Sequence, residues 1–247
     1  RGRLRGLNSM ARTAQLGLPL VAPAQAQKHV TVNEALARLD AAAQLRVVSS
    51  VLPVPPANAV DGQSYLVPAG ATGEWAGLAG RIAVRSNGGW SYLVPKIGWR
   101  AWDEGLSGPR VFDGAGWVSD AVAVAPQGSA LRWRVIEFDH AVTPGPSNTT
   151  SVVIPSHAQL TGVTGRVVTA LAGPGLTGWK IGVAGAADRY GAGLGIGLNS
   201  YLVGLSGTPV TYYAATPLLL TAEGGSFDAG TIRLALHVLQ LEPPRPV

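Results

Sequence analysis

The chain has 247 residues, of which 47% are hydrophobic and 13% are charged, with 33 glycines and 18 prolines. This apolar content excludes general disorder, and the many turn residues favour short strands, so the composition predicts a mainly β globular protein. The absence of cysteine excludes disulfide scaffolds, thiolate zinc sites and cysteine nucleophiles.

The net charge of +5 does not indicate a nucleic-acid partner. Much of it comes from Arg1, Arg3 and Arg5, and no basic stripe or basic run interleaved with aromatic residues follows. No apolar run approaches the roughly 20 residues that span a bilayer. We therefore expect neither nucleic-acid binding nor membrane insertion.

The N-terminal segment combines arginines, the apolar run LGLPLVA and the small residues APAQAQ. This order imitates a secretion signal. The apolar run is short, and Pro19 and Pro23 interrupt or abut it, which argues against a signal. Met10 is a second candidate for the natural start, with residues 1–9 read from upstream.

Residues 31–48 are predicted to form the one clear helix. Thr31 and Glu34 have the T-x-x-E spacing of a capping box, and His29 lies in the lead-in. Apolar residues recur at helical spacing and form a narrow seam that suits a small core or self-association: Val32, Leu36, Leu39 and Ala43. Residues 1–59 are therefore interpreted as an anchoring and oligomerisation region.

Residues 60–125 are predicted to form a small antiparallel β module. The string SYLVP occurs twice, at 64–68 and 91–95, which suggests two similar strand-turn pieces. Asn87-Gly88 between two strand-like runs is a strong hairpin signal, and FDGAGW indicates a second turn. Most of the tryptophans in this module are expected in its core: Trp75, Trp90, Trp99, Trp102 and Trp117. The stretch 121–130 is interpreted as a linker.

Residues 131–247 are predicted to form a second β domain. The last predicted strand alternates, with Ile232, Leu234, Leu236 and Val238 on one face and Arg233 and His237 on the other. Eight short candidate strands suggest a β-sandwich or a jelly roll: 131–138, 149–154, 162–171, 178–184, 192–198, 208–214, 217–222 and 231–241.

No motif in the sequence predicts catalysis or metal binding. His29 and Glu34 do not have the H-E-x-x-H spacing. The other three histidines are expected in surface or hydrogen-bonded roles: His140, His157 and His237. The glycines of GAGLGIG at 191–197 lack the strand and helix that flank a dinucleotide-binding loop. We expect no catalytic residue, no metal and no cofactor.

Glycan hydrolysis requires a separate test, because it needs two nearby carboxylates. Asp103 and Glu104 are adjacent and are expected to diverge. The remaining candidates are isolated in sequence: Asp139, Asp188, Glu223 and Asp228. A pair assembled from distant loops is the alternative that the sequence leaves open.

Carbohydrate binding has more support from residue types. Aromatic side chains offer flat apolar faces, and Asp, Asn and Arg offer directional hydrogen bonds. The predicted carbohydrate-binding residues lie between or beside candidate strands: Asp188, Arg189, Tyr190, Asn199, Tyr201, Tyr212, Tyr213 and Trp179. The alternative is that Asp188 and Arg189 fix a loop and that the tyrosines pack in the core.

The strings LGLPLVAPAQAQKHVTVNEALARLDAAAQL, DGQSYLVPAGATGEWAGLAGRIAV and GGWSYLVPKIGWRAWDE resemble a phage-associated family long labelled as a domain of unknown function. That family occurs in alphaproteobacterial prophages and in rhodobacterial gene transfer agents, where its member is a head spike that attaches to capsular polysaccharide. The resemblance covers about residues 16–120. The C-terminal strings, such as GVAGAADRYGAGLG, resemble the receptor-facing β domain that often follows.

The resemblance implies a placement for each region. The N-terminal region would anchor to another particle protein or associate with itself as a homotrimer, and the C-terminal β domain would meet host polysaccharide. We therefore expect a non-enzymatic spike or fibre, made in the bacterial cytoplasm and carried on the particle surface. The alternatives are a capsule-depolymerising spike enzyme and a purely structural connector.

Overall fold

The computed structural model describes residue 13, residues 20–21 and residues 28–246, so the basic N-terminus and Met10 lie outside the described residues. The chain divides into two compact units between Gly128 and Ser129. The described part contains sixteen strands and one α-helix. The predicted mainly β fold with an N-terminal helix is confirmed.

Helix α1 spans Lys28–Ala42, so it begins and ends earlier than predicted. Thr31 lies inside it, and the predicted capping box is wrong. The Glu34 carboxylate instead accepts a hydrogen bond from Arg38 Nη2 at 2.6 Å, one turn further on. His29 is in the first turn of α1 rather than in its lead-in. No helix of the described residues is long and apolar enough to cross a membrane.

The predicted apolar seam of α1 is not the side that packs on the first unit. Val32 and Leu39 are exposed, and Leu36 and Ala43 are half-buried. Ala41 is buried instead, in a core cluster of the first unit. Self-association through the seam therefore stays a prediction.

Two small sheets form the first unit, together with a short 3₁₀ helix at Gly73–Trp75. The strands of these sheets are β1 (Arg46–Val47), β2 (Ser64–Leu66), β3 (Ile82–Ser86), β4 (Gly89–Leu93), β5 (Arg100–Asp103), β6 (Gly108–Phe112) and β7 (Trp117–Ser119). A further strand of this unit, β8 (Ala121–Val124), belongs to neither sheet. The sheet orders are β2-β3-β4 and β1-β5-β6-β7. Residues 46–47 leave the predicted helix because β1 pairs in parallel with β5, and this long-range pairing overrides the local helix propensity.

Both turns predicted from the sequence are confirmed. Asn87 and Gly88 join β3 to β4 with positive φ angles of 51° and 73°, as a two-residue type I′ hairpin requires. FDGAGW joins β6 to β7. The two SYLVP strings flank the same strand, since Tyr65 and Tyr92 both pair with Ala83.

The second unit contains eight strands, which is the number that the sequence predicts. They are β9 (Ala130–Ala141), β10 (Ser147–Ile154), β11 (Ala158–Ala172), β12 (Gly178–Val183), β13 (Ala186–Leu194), β14 (Tyr201–Tyr212), β15 (Thr216–Glu223) and β16 (Ala229–Glu242). The predicted bounds of two strands, 192–198 and 208–214, are wrong. Residues 195–198 are not in a strand, and β14 begins well before residue 208. Both errors arise in the glycine-rich stretch, where apolar alternation is weak.

The eight strands form a jelly roll. They pair as nested antiparallel partners, first with last: β9 with β16, β10 with β15, β11 with β14, and β12 with β13. The additional pairings of β11 with β16 and of β12 with β15 join these strand pairs into two sheets. The resulting orders within the unit are β14-β11-β16-β9 and β10-β15-β12-β13. Two antiparallel sheets of this kind are the jelly-roll architecture.

One apolar core lies between the two sheets. Ile232, Leu234, Leu236 and Val238 of β16 are fully buried in it, as the predicted alternation requires. Ile181, Leu218 and Leu220 contribute from the opposite sheet. The alternate residues of β9, β11, β14 and β16 therefore point away from the core and form what we call the outer face of the second unit.

Candidate functional site

Four side chains lie in one line across the outer face. Tyr201 on β14 pairs with Arg166 on β11, Arg166 pairs with Arg233 on β16, and Arg233 pairs with Asp139 on β9. Because neighbouring strands are about 4.8 Å apart, the line is about 14 Å long. We call these four residues the polar row.

One end of the polar row is an aromatic ring held beside a cation. The Arg166 guanidinium carbon lies 5.7 Å from the centre of the Tyr201 ring, and Arg166 Nη1 donates a hydrogen bond to the Asn199 carbonyl oxygen at 3.0 Å. Asn199 has a positive φ of 68° in the turn before β14, which aims that carbonyl at Arg166. Tyr201 remains 69% exposed, so most of its ring is available to a ligand.

The other end is an ion pair with two hydrogen bonds. Arg233 Nε donates to Asp139 Oδ1 at 2.7 Å, and Arg233 Nη2 donates to Asp139 Oδ2 at 2.9 Å. The hydrogen bond from Arg233 holds the pKa of Asp139 below its ordinary value. Both groups are solvent-exposed and keep free hydrogen-bonding positions. The pair is therefore a rigid, neutral source of a donor and an acceptor.

Three predicted carbohydrate-binding residues are buried in the jelly-roll core, and their assignment to a surface site is wrong. Trp179 and Tyr190 are 2% exposed and Tyr212 is 9% exposed. The Trp179 indole N–H donates to the Gly195 carbonyl at 3.1 Å. The hydroxyls of Tyr190 and Tyr212 are 2.6 Å apart, and burial raises the pKa of Tyr190. These polar atoms satisfy each other inside the core, as buried groups must.

The remaining predicted residues are exposed but do not form one site. Asn199 and Tyr201 lie together at the start of β14. Tyr213 follows the end of β14, edge-on to His157 at 6.3 Å. The β11 partners of Tyr201 and Tyr212, Arg166 and Ala158, are eight residues apart, so Tyr213 lies about 25 Å from Tyr201. Asp188 and Arg189 lie on β13, in the other sheet.

The sequence prediction missed Arg166, Arg233 and Asp139 as partners of Tyr201. Their alternation on β11, β16 and β9 shows which face each occupies. Their alignment depends on register, which a bulge between Leu160 and Gly162 shifts on β11. A single sequence carries no signal for that shift.

The histidines do not form a reactive group. His140 is half-buried, and this burial lowers its pKa despite a hydrogen bond with Asn148. His237 lies on the outer face but is half-buried, with Nε2 3.0 Å from Thr164 Oγ1. Over the ranges that the structure describes, no three His, Asp or Glu side chains are grouped so that they could hold a metal ion.

The first unit has a concavity of about 680 Å³ between α1 and the β3–β4 hairpin. Several of its polar groups already have partners. Asp61 Oδ1 accepts from the Gly88 N–H at 3.1 Å, Arg38 pairs with Glu34, and the Arg85 guanidinium lies 5.4 Å from the centre of the Trp90 ring.

The comparison with protein families concerns the first unit. Residues 32–118 match a family described as "Protein of unknown function (DUF2793)", which confirms, within those bounds, the expected similarity to a family of unknown function. Among solved structures, a chain titled "Cyanophage Pam1 capsid asymmetric unit" matches with a TM-score of 0.31 and 21% identity, over 45% of this chain and 84% of that chain. No curated protein matches the sequence. The family match ends before the jelly roll.

Proposed function

We propose that the chain is a non-enzymatic spike or fibre of a phage-like particle, a phage or a gene transfer agent. Its second unit attaches to capsular polysaccharide on the host cell. The polar row on an exposed jelly-roll face is the observation that carries the proposal, because it combines an open aromatic ring with fixed donors and acceptors.

The particle assignment draws on the first unit. The strings between residues 16 and 120 resemble the phage and gene-transfer-agent family, and the family match at 32–118 falls within them. The resemblance implies that the N-terminal region anchors the chain. The exposed side chains of Val32 and Leu39 on α1 offer an apolar surface for another particle protein or for a homotrimeric contact.

The attachment role draws on the second unit. Jelly rolls occur in viral capsid proteins and in lectins, and a shared fold alone does not assign a function. The polar row adds the chemistry that a sugar needs. The Tyr201 ring can pack against the apolar face of a sugar, while Arg166 and the Arg233–Asp139 pair can bond its hydroxyls.

The placement of the carboxylates fits a sugar-binding function better than a sugar-hydrolysing one. A hydrolase needs one acid that can donate a proton beside a second carboxylate. Asp139 is held ionised by Arg233, and Asp103 is buried against Arg110 in the first unit. Glu223 accepts a hydrogen bond from the Gly193 N–H at 3.0 Å. None of these three is a free acid facing the polar row. Glu137, two residues from Asp139 on the same face of β9, is the exposed carboxylate whose catalytic use the reducing-end assay tests.

The test is retention of purified protein on capsulated cells and on capsule-null derivatives. We expect binding only to capsulated cells, and a loss of about tenfold for Tyr201→Ala, the equivalent of one lost aromatic contact. Tyr213→Ala removes an equally exposed tyrosine at the far end of β14 and should bind normally. Equal binding to both cell types would refute capsule attachment. Release of new reducing ends from purified capsule would favour the depolymerase.

A further inference from the structure

The outer face carries an apolar region next to the polar row. Val203 and Leu205 on β14 stand on one side of it, and Trp133 and Val135 on β9 stand on the other. Leu241 on β16 continues it away from the polar row. We call these five residues the apolar field.

The apolar field has two raised sides and a low middle. Leu205, Gly162, His237 and Val135 form one row across β14, β11, β16 and β9. Gly162 adds no side chain to the middle, and a Cβ there would meet the Gly204 carbonyl oxygen at 2.7 Å, so larger residues are excluded. Leu205 and Val135 therefore stand about 14 Å apart, or three strand spacings, with Gly162 and the half-buried ring of His237, which bonds Thr164, between them.

The exposed area of the apolar field, summed over both of its sides, is at the upper end of what monomers leave uncovered. Its members are exposed by 64% (Val203), 75% (Leu205), 52% (Trp133), 57% (Val135) and 75% (Leu241). At roughly 150–200 Å² for a fully exposed residue of this size, these fractions amount to about 500–650 Å². Typical monomers expose at most about 300–600 Å² in one patch, and a stable interface covers about 800 Å² on each partner. The field supplies most of such an interface.

We propose that a second copy of this chain covers the apolar field, packed face to face about a twofold axis parallel to the strands. This arrangement keeps the strands of the two copies aligned, as in stacked sheets. It places β9 of each copy over β14 of the other, so Leu205 of one copy packs against Val135 of the other. A twofold interface is self-complementary.

Charge on the outer face fits the same arrangement. Of the described arginines on the outer face, Arg233 is paired with Asp139, whereas Arg166 on β11 lies beside Tyr201 and has no carboxylate partner. The acids, Glu137 and Asp139, both lie on β9. Turning one copy about an axis along the strands places the β9–β16 side, where Glu137, Asp139 and Arg233 sum to a net charge of −1, over the β11–β14 side that holds Arg166. Within the polar rows, Arg166 then faces the ion-paired Arg233 of the partner copy. The proposal does not depend on carbohydrate binding.

The test uses two single variants of the full chain and their mixture, followed by sedimentation velocity over a range of concentrations. Leu205→Lys and Val135→Glu should each weaken association at least tenfold. Mixing the two variants should restore it, because one contact then pairs Lys with Glu and the other contact is native. Leu106→Lys, at an equally apolar exposed site in the first unit, is the matched control and should associate like the unchanged chain.

Circular dichroism establishes that each variant is folded before it is compared. Restoration in the mixture supports the twofold contact, because no other partner would require both substitutions. Three results overturn the proposal: a monomeric unchanged chain at high concentration, association unaffected by Leu205→Lys and Val135→Glu, or a mixture no better associated than its components. Self-association through α1 would give the second result.

Discussion

Replacing Arg110 by methionine should destabilise the first unit by about 3–5 kcal/mol, because it leaves a buried carboxylate without its counter-charge. Asp103 is fully buried and Arg110 is 7% exposed. Arg110 Nε and Nη2 each lie 3.3 Å from Asp103 Oδ2, and Nη1 donates to Ser119 Oγ. The guanidinium thus ties β6 to its neighbours on both sides, β5 and β7.

The magnitude follows from what remains after the substitution. Asp103 keeps one hydrogen bond, from the Leu106 N–H to Oδ1 at 3.2 Å, and one bond of this kind offsets only about 1.5–3 kcal/mol. Methionine fills much of the volume of arginine but supplies no charge. Adding Asp103→Asn removes the buried charge, so the double variant should be more stable than Arg110→Met alone. A difference of at least about 2 kcal/mol is expected, since pairs replaced together cost little.

The assay is urea unfolding followed by tryptophan fluorescence, which reports mainly on the first unit because most tryptophans lie there. Arg46→Ala is the matched control: Arg46 pairs with Glu104 at 2.5 Å, but both side chains are exposed, so its loss should cost less than about 1 kcal/mol. The reasoning is refuted if Arg110→Met costs no more than Arg46→Ala. It is also refuted if the double variant is less stable than Arg110→Met.

Three further predictions concern buried groups and one turn. Tyr190→Phe should lower the free energy of unfolding by about 1–3 kcal/mol, because it leaves the Tyr212 hydroxyl unpaired in the core. If the double variant Tyr190→Phe, Tyr212→Phe is no more stable in urea than Tyr190→Phe alone, this explanation is wrong. Gly88→Ala in the β3–β4 turn should lower stability by about 1–2 kcal/mol because of its positive φ; an unchanged unfolding midpoint would show that the turn adapts. The pKa of His140 is lowered from 6.5 by burial, so the unfolded state takes up its proton first as pH falls. Stability should therefore be complete above about pH 6.5 and should decline below it. His140→Gln, which can still bond Asn148, should remove the loss of stability below pH 6.5 that His140 causes. Thermal unfolding from pH 5 to 8 measures this loss, and an unaltered profile would assign it to other groups.

The fold could be predicted where the sequence pattern was local. Alternation placed Ile232, Leu234, Leu236 and Val238 on the inner face of the last strand, and eight segments of suitable length indicated a sandwich or jelly roll. Asn87-Gly88 fixed a hairpin because few other residues tolerate that turn. Each of these inferences uses only residues close together in the chain.

The errors came where distant segments decide. Thr31 and Glu34 had the right spacing for a cap, but the helix begins at Lys28 and Glu34 bonds Arg38. Tyr190 was interpreted as a loop residue because β13 was expected to begin at 192, whereas the strand already includes it and turns its ring into the core. The candidate site differs most, since the polar row exists only once the register of four strands is set.

The polar row and the apolar field share one face, and their positions make the two proposals compatible. Rows along the strands are about 6.8 Å apart, so the polar row lies one row beyond Val203 and two rows, roughly 14 Å, beyond Leu205 and Val135. It is therefore towards the rim, where interfaces are polar and accessible. A twofold axis along the strands leaves both copies pointing the same way, so their two polar rows come to the same end of the pair. Two weak sites held together bind a repeating polymer more tightly than either does alone.

Leu205→Lys should therefore weaken retention on capsulated cells although Tyr201 is untouched, and mixing it with Val135→Glu should recover that retention. Recovery of association without recovery of retention would mean that pairing and attachment are separate properties of this face.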